Sequence, residues 1–297
     1  MATLRELKTR IGSVSSSEKI TGAMKMISSA KVHKNEQELR RLLPFKSQIQ
    51  QILGHVLASD ETFDSPLIEQ REIENILLVV FGSDDGLCGA YNMNVFKKLL
   101  EEINDLRRDH GENVNITIFP VGRKIARAVY HLKQQGISVQ LVDGVDSKMN
   151  PEIVNDFTLK LKDGFTSKEF DLVKVVYMRF YSISRQRATV DPLFPVKEEL
   201  LLEGSGDDKK SENRMYIFEP DPNSIFNEVL PMFVLSMMQE VTIENRASEQ
   251  AARVMAMQAA NDNAKKLNEE LRLEYNKLRQ QSITTELLDI LGGQVER

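Results

Sequence analysis

The chain of 297 residues has no Trp and a single Cys, Cys88. One thiol closes no internal disulfide, so the fold must rest on packing, and a reducing compartment is the expectation. No run of 18 apolar residues occurs, which argues against a membrane-spanning helix. The opening MATLRELKTR has neither the apolar core of a signal peptide nor an Arg/Ser-rich transit pattern, so the chain is expected to stay where it is made. Four His (His33, His55, His110, His131) are scattered without ligand spacing, and no local signature pairs Cys88 with a His. No catalytic, cofactor-binding or metal-ligating residue is therefore assigned. A further absence organises the chain. After Pro231 there is no Pro, and no Gly until Gly292–Gly293. Some sixty residues can thus form one helix of about 90 Å at ~1.5 Å per residue. Arg246, Glu249, Arg253, Asp262, Lys265, Glu269, Arg272 and Glu274 stud it with charge, so a coiled-coil rod is expected rather than a membrane span.

What is present begins with charge. The net balance of −5 argues against a general nucleic-acid binder. Residues 1–34 nevertheless carry seven Lys/Arg against Glu6 and Glu18, and residues 221–297 carry eight Lys/Arg against twelve Asp/Glu. The two ends attract each other if they pair, and the basic end also suits an acidic partner. From Leu4 to about Val56 the pattern is helical. Leu4, Leu7, Ile11 and Val14 are spaced as a coiled-coil seam, which a phase shift then continues through Ile20, Ala23/Met24, Ile27 and Ala30/Lys31. Gly12 and Gly22 weaken this helix while allowing close approach of another. Pro44 is expected to bend or interrupt it, and Gly54 to mark fraying. Residues 59–66 (SDETFDSP) read as a linker.

Between Ile76 and Val196 strand and helix signals alternate. Strands are expected at Ile76–Phe81, Asn115–Val121, Ser138–Val142 and Leu172–Tyr181, with an edge strand at Thr189–Val196 that tolerates Pro192 and Pro195. Helices are expected at Asn94–Arg108, Arg123–Gln135 and Pro151–Phe165. Repeated βα units imply a largely parallel sheet. Lys197–Arg214, polar and Gly/Ser-rich, reads as a mobile loop, and Tyr216–Glu219 as a last short strand. Asp221–Pro222 opens the terminal helix, whose seam runs through Leu230, Val234, Met237 and Val241 and again through Ala264, Leu267, Leu271 and Leu278. The resulting fold class is α/β: a long antiparallel coiled coil of N- and C-terminal helices with an inserted Rossmann-like α/β domain. The parts are residues 1–58, 70–220 (with the loop 197–214) and 221–297.

The one stretch resembling a phosphate cradle is GSDDGLCG (Gly82–Gly89). Its spacing matches neither dinucleotide nor Walker patterns, and Asp84 and Asp85 would repel phosphate. A tight strand-to-helix connection, or a surface contact, is the plainer reading. Asp84–Asp85 and Asp207–Asp208 are expected to be solvated. At the far end, Leu287, Leu288, Ile290 and Leu291 form an apolar cluster too dense to be left to water, so something should surround that tip.

Three stretches together resemble the gamma subunit of F-type ATP synthases, nearly end to end. They are LRELKTRIGSVSSSEKITGAMKMISSAK (Leu4–Lys31), GSDDGLCGAYN (Gly82–Asn92) and ENRASEQAARVMAMQAANDNAKKLNEELRLEYNKLRQQSITTELLDILGG (Glu244–Gly293). In the closing signature Ile283, Thr284, Glu286, Asp289 and Gly293 fit, whereas Gln294 stands where Ala is expected and Glu296 where a small or basic residue is usual. The resemblance implies a non-catalytic rotor shaft that binds no nucleotide itself. Its partners would be three alpha and three beta subunits, the epsilon subunit and the membrane c-ring, at the cytoplasmic face of a bacterial inner membrane. It would couple proton flow to ATP synthesis or hydrolysis. By the same resemblance Met24 and Lys25 would lie near acidic beta-subunit levers. Arg279, Gln280 and Thr284 would contact beta-subunit loops, Glu286 would also touch a partner, and Leu287 to Leu291 would sit in an apolar sleeve. Two other readings are an α/β nucleotide-dependent enzyme with a helical arm and a static coiled-coil tether.

Overall fold

In the computed structural model, residues 3–59, 63–202 and 218–295 are described. The elements in chain order are α1 (Leu4–Leu57), β1 (Asn75–Phe81), α2 (Tyr91–His110), β2 (Asn115–Val121), α3 (Arg123–Tyr130), a 3-10 turn (His131–Gln135), β3 (Ser138–Val139), α4 (Pro151–Thr166), β4 (Leu172–Ser182), β5 (Arg185–Phe194), α5 (Glu198–Leu202) and α6 (Pro222–Val295). They divide into two units, Met1–Ser29 with Arg253–Arg297, and Ala30–Ala252.

The larger unit is built on a five-stranded sheet of order β3-β2-β1-β4-β5. β1 pairs parallel with β2 and β4, β2 parallel with β3, and β5 antiparallel with β4 at the edge. The continuous apolar run of β1 suits burial on both faces. Ile76, Leu78 and Val80 meet α2 and α3 through Val95, Leu99, Ile103, Ile125 and Val129. Leu77, Val79 and Phe81 face the opposite core. There Val154, Phe157, Leu161 and Phe165 of α4 join Ile49, Leu53 and Val56 of α1 and Phe226, Leu230 and Phe233 of α6. The expected α6 seam Leu230, Val234, Met237 and Val241 is buried as read.

Several local expectations are corrected. Pro44 lies inside α1, which continues to Leu57, and Gly54 is helical. Pro44 is exposed. Burial of Ile49, Leu53 and Val56 downstream offsets the cost of about 3 kcal/mol. The third strand shortens to two residues and the helix after β2 ends as a 3-10 turn. Phe218–Glu219 form no strand. Lys197–Leu202 are not loop throughout, because α5 occupies Glu198–Leu202. The rest of that loop, including Asp207–Asp208, and Tyr216 lie outside the described residues.

In the smaller unit the start of α1 packs on the end of α6. α1 opens with a capping box: the Glu6 amide donates to Thr3 Oγ1 at 3.3 Å, and the Thr3 amide to Glu6 Oε2 at 2.9 Å. From Leu4 to Ser28 the residues not exposed are Leu4, Leu7, Ile11, Val14, Glu18, Thr21, Lys25 and Ser28, with Ser15, Gly22 and Met24 beside them. That row alternates three and four without a break. The facing row on α6 is Asn261, Ala264, Asn268, Leu271, Tyr275, Leu278 and Ser282. The seam therefore does not shift phase after Val14. It runs on through polar and small residues, and Ile20 and Ile27 are each 59% exposed. On α6 Asn268 takes the seam place expected for Leu267, which is 45% exposed. Asn261 locks the register, its Nδ2 donating to the Glu18 carbonyl at 2.7 Å across the place where Gly22 lacks a side chain. In this unit Glu18 meets Asn261, and in the other Lys46 of α1 meets Glu240 of α6.

Candidate functional site

Two regions carry features that packing alone does not explain. The first is the end of the helix pair. The α1 seam begins at Leu4 and the α6 seam ends at Ser282, so thirteen further residues of α6, to Val295, run past their partner. That overhang is helical yet apolar on its surface. Ile283 is 48% exposed, Leu287 55%, Leu288 63% and Ile290 63%. The polar groups beside these residues bond within the helix, Thr284 Oγ1 to the Gln280 carbonyl at 2.8 Å and Ser282 Oγ to Glu286 Oε1 at 3.4 Å. Further along the pair a second apolar stripe faces outward on α1, formed by Ile20, Met26 and Ile27. Contiguous exposed apolar surface of this kind is a binding feature.

The second region is the loop Gly82–Gly89 at the carboxyl end of β1, where a doubly wound sheet reverses its strand order and ligands usually bind. Here α6 occupies the β1/β4 side of the strand ends, while a cleft of about 280 Å³ lined by Asp84, Asp85, Gly86, Arg123, Lys124 and Arg127 lies on the α3 side of the loop. Asn245 of α6, 1% exposed, accepts from the Tyr91 hydroxyl at 2.5 Å and the Met178 amide at 3.4 Å and donates to the Gly82 carbonyl at 3.3 Å. Ser248 Oγ donates to the Met178 carbonyl at 2.8 Å, and Arg246 to the carbonyls of Ser147 and Met149. Nothing in the sequence pattern marks Asn245; only its position against the strand ends does.

Asp84, expected to be solvated, is 6% exposed. It accepts from the Arg123 amide at 2.9 Å, capping α3, and from the Ser147 amide and hydroxyl at 3.1 and 2.7 Å. Burial pushes its carboxyl up, but the Ser147 and Arg123 hydrogen bonds outweigh that and hold it below the usual value. Its neighbour Asp85 is exposed and meets Lys148 at 3.0 Å. Gly82 has no room for a side chain, since a Cβ there would lie 2.4 Å from Ile125 Cβ. At Gly122, where φ is +114, an added Cβ would lie 3.1 Å from the Gly82 backbone. The Gly-rich motif is thus a tight connector. Cys88 is buried against Ser83 and Asn92 rather than beside a His. A cleft of about 760 Å³ near the other end of β4 is lined in part by paired groups, Lys174 on Glu102 at 2.6 Å and Arg71 on Glu69 at 2.9 Å.

Comparison with known proteins gives this architecture a family. Residues 3–295 match the family model described as ATP synthase. The ATP synthase gamma chain of Bacteroides thetaiotaomicron is 37% identical over 304 residues, covering 100% of both chains. That of Cupriavidus pinatubonensis is 32% identical over 99% of both. The chain belongs to the ATP synthase gamma-chain family. A solved chain from the Euglena gracilis mitochondrial ATP synthase OSCP/F1/c-ring structure shares the fold at 21% identity, with a TM-score of 0.65, covering 98% of this chain and 93% of that one. A gamma chain is a non-catalytic subunit of the ATP synthase. Among the described residues no helix is long and apolar enough to cross a membrane.

Against the gamma-chain pattern, the residues named for partner contact fall in two places. Arg279, Gln280, Thr284, Glu286 and Leu287 are all exposed at the end of α6. Met24 and Lys25 are half-buried on α1, Lys25 within the seam row and Met24 beside it. The structure does not bring the two groups together, because α6 residue 261, facing Thr21, is eighteen residues or roughly 27 Å from Arg279. The Leu291 and Gln294 side chains and Glu296 lie outside the described residues. Sequence reading missed Ile20, Met26 and Ile27 as outward-facing. Carrying the 3-4 count strictly past Val14 would have found the outward pair Ile20 and Ile27.

Proposed function

We propose that this chain is the central rotor shaft of a proton-translocating ATP synthase, carrying torque between a membrane c-ring and the catalytic beta subunits. The observation that carries the reading is the bare apolar overhang of α6 in a chain that matches gamma chains over its whole length. A rod end of this kind turns in a sleeve supplied by others, which we take to be the alpha and beta subunits, three of each. In this reading Arg279, Gln280, Thr284 and Glu286 touch the ring's loops, and Leu287 and Leu291 its apolar wall. Met24 and Lys25, within the basic first segment, approach acidic levers of the beta subunits. The sheet domain, residues 70–220, joins the epsilon subunit and the c-ring, while residues 1–58 and 221–297 form the shaft. The assembly sits peripherally at the cytoplasmic face of a bacterial inner membrane and moves hydrogen ions.

The test is a crosslink between the α6 end and one beta subunit in the assembled complex. ATP turnover stops if the chain must rotate. Continued turnover would instead make it a static tether. The isolated chain should hydrolyse no ATP, and hydrolysis at a useful rate would restore the enzyme reading.

A further inference from the structure

Where α6 lies on β4 and β5, in the Ala30–Ala252 unit, a charged cluster has one acid too many. Glu244 is 8% exposed, and its Oε2 is buried with no hydrogen-bond partner among the described residues. The nearest cation, Arg179 Nε, is 3.8 Å away and is committed elsewhere. Arg179 Nη2 donates to Asp191 Oδ2 at 2.6 Å, and its Nη2 and Nε to the Tyr177 hydroxyl at 2.8 and 3.0 Å. The hydroxyl hydrogen of Tyr177 goes to the same Asp191 oxygen at 2.8 Å. One turn before Glu244, Glu240 is paired with Lys46 of α1. Three carboxylates thus share two cations, and the surplus charge falls on the acid that is deepest. A buried carboxylate with an unfilled acceptor is disfavoured, and a proton both removes the charge and supplies a donor.

We propose that Glu244 is a proton-operated latch: protonated, it seats this turn of α6 on β4 and β5, and ionised, it loosens that seat. The groups facing it are Glu240 from α6, Tyr177 and Arg179 from β4 and Asp191 from β5, with Lys46 from α1 behind Glu240. Burial raises the Glu244 carboxyl to about 7, Glu240 adds to the rise, Arg179 opposes it, and Asp191 adds to it. Because the seated value lies above the ordinary 4.5, the seated state holds a proton that the released state lacks between those two values. Its advantage is full below the ordinary value and is lost as pH rises through about 7. From pH 6 to pH 8 the released population should rise about tenfold.

Amide hydrogen exchange on the full chain tests this, with each rate corrected for the intrinsic effect of pH. In the wild type, residues 238–248 and the facing stretch of β4 should open about tenfold more at pH 8 than at pH 6. Glu244→Gln should abolish that difference. If this variant does not fold, Glu240→Gln serves instead, and removal of the neighbouring charge should move the midpoint to lower pH. The latch is overturned by equal protection at both pH values in the wild type, by an unchanged pH response in Glu244→Gln, or by an unmoved midpoint in Glu240→Gln.

Discussion

Asp84 and Asp85 are adjacent, identical in type and opposite in fate. Asp84 gathers donors from residues 123 and 147, whereas Asp85 reaches out to exposed cations. Asp84→Ala should lower the unfolding free energy by about 1–3 kcal/mol, because it leaves the Arg123 and Ser147 donors unpaired. Asp85→Ala should change it by no more than ~1 kcal/mol. Urea midpoints of the two variants check the contrast. The Asp84 carboxyl is held below its ordinary value, so its contribution is present above that value and fades as pH falls through the folded one. The pair looked alike in sequence because its partners lie 39 and 63 residues away. The same holds for Asn245, whose burial depends on Gly82 and Tyr91.

At the scale of elements, most strands and helices were legible, because β1 is an unbroken apolar run and the α4 and α6 starts carry local signals. Asn150 caps α4 through the Ile153 amide at 2.8 Å, and Asp221 caps α6 through the Ser224 amide at 2.8 Å, each followed by Pro. The α1 seam was misread after Val14 because apolar residues were followed and the strict 3-4 spacing was not. Burial obeys the spacing, since a side chain points where the helix turns it, whatever its polarity. The two helix glycines separate on the same ground. Gly12 has nothing within 4 Å of an added Cβ, so Gly12→Ala should raise stability by up to ~1 kcal/mol. At Gly22 the Cβ would stand 3.3 Å from Asn261 Nδ2, so Gly22→Leu should break the Asn261 bond and lower the melting temperature. Thermal unfolding of both variants reads the difference.

For the whole molecule the predictions concern coupling. Met24→Lys adds a second cation beside Lys25 on the basic first segment, where it can bind a beta-subunit carboxylate. Assembly should survive and the ATP made per proton should fall. Proton pumping and ATP synthesis measured in the same vesicles check this, and an unchanged ratio would remove Met24 from the contact. The amino-acid sequence by itself determined the α/β class, the helical rod, the apolar end and, through three motifs, the family, because period, capping and motif spacing are local properties. The tertiary structure alone decided which acid is buried at the β1 loop, that α6 occupies the β1/β4 side of the strand ends with Asn245, and where the α1 seam runs. It also placed a surplus carboxylate, Glu244 of α6, against β4. Those outcomes depend on residues far apart in the chain, and burial is a property of the neighbours that folding brings together.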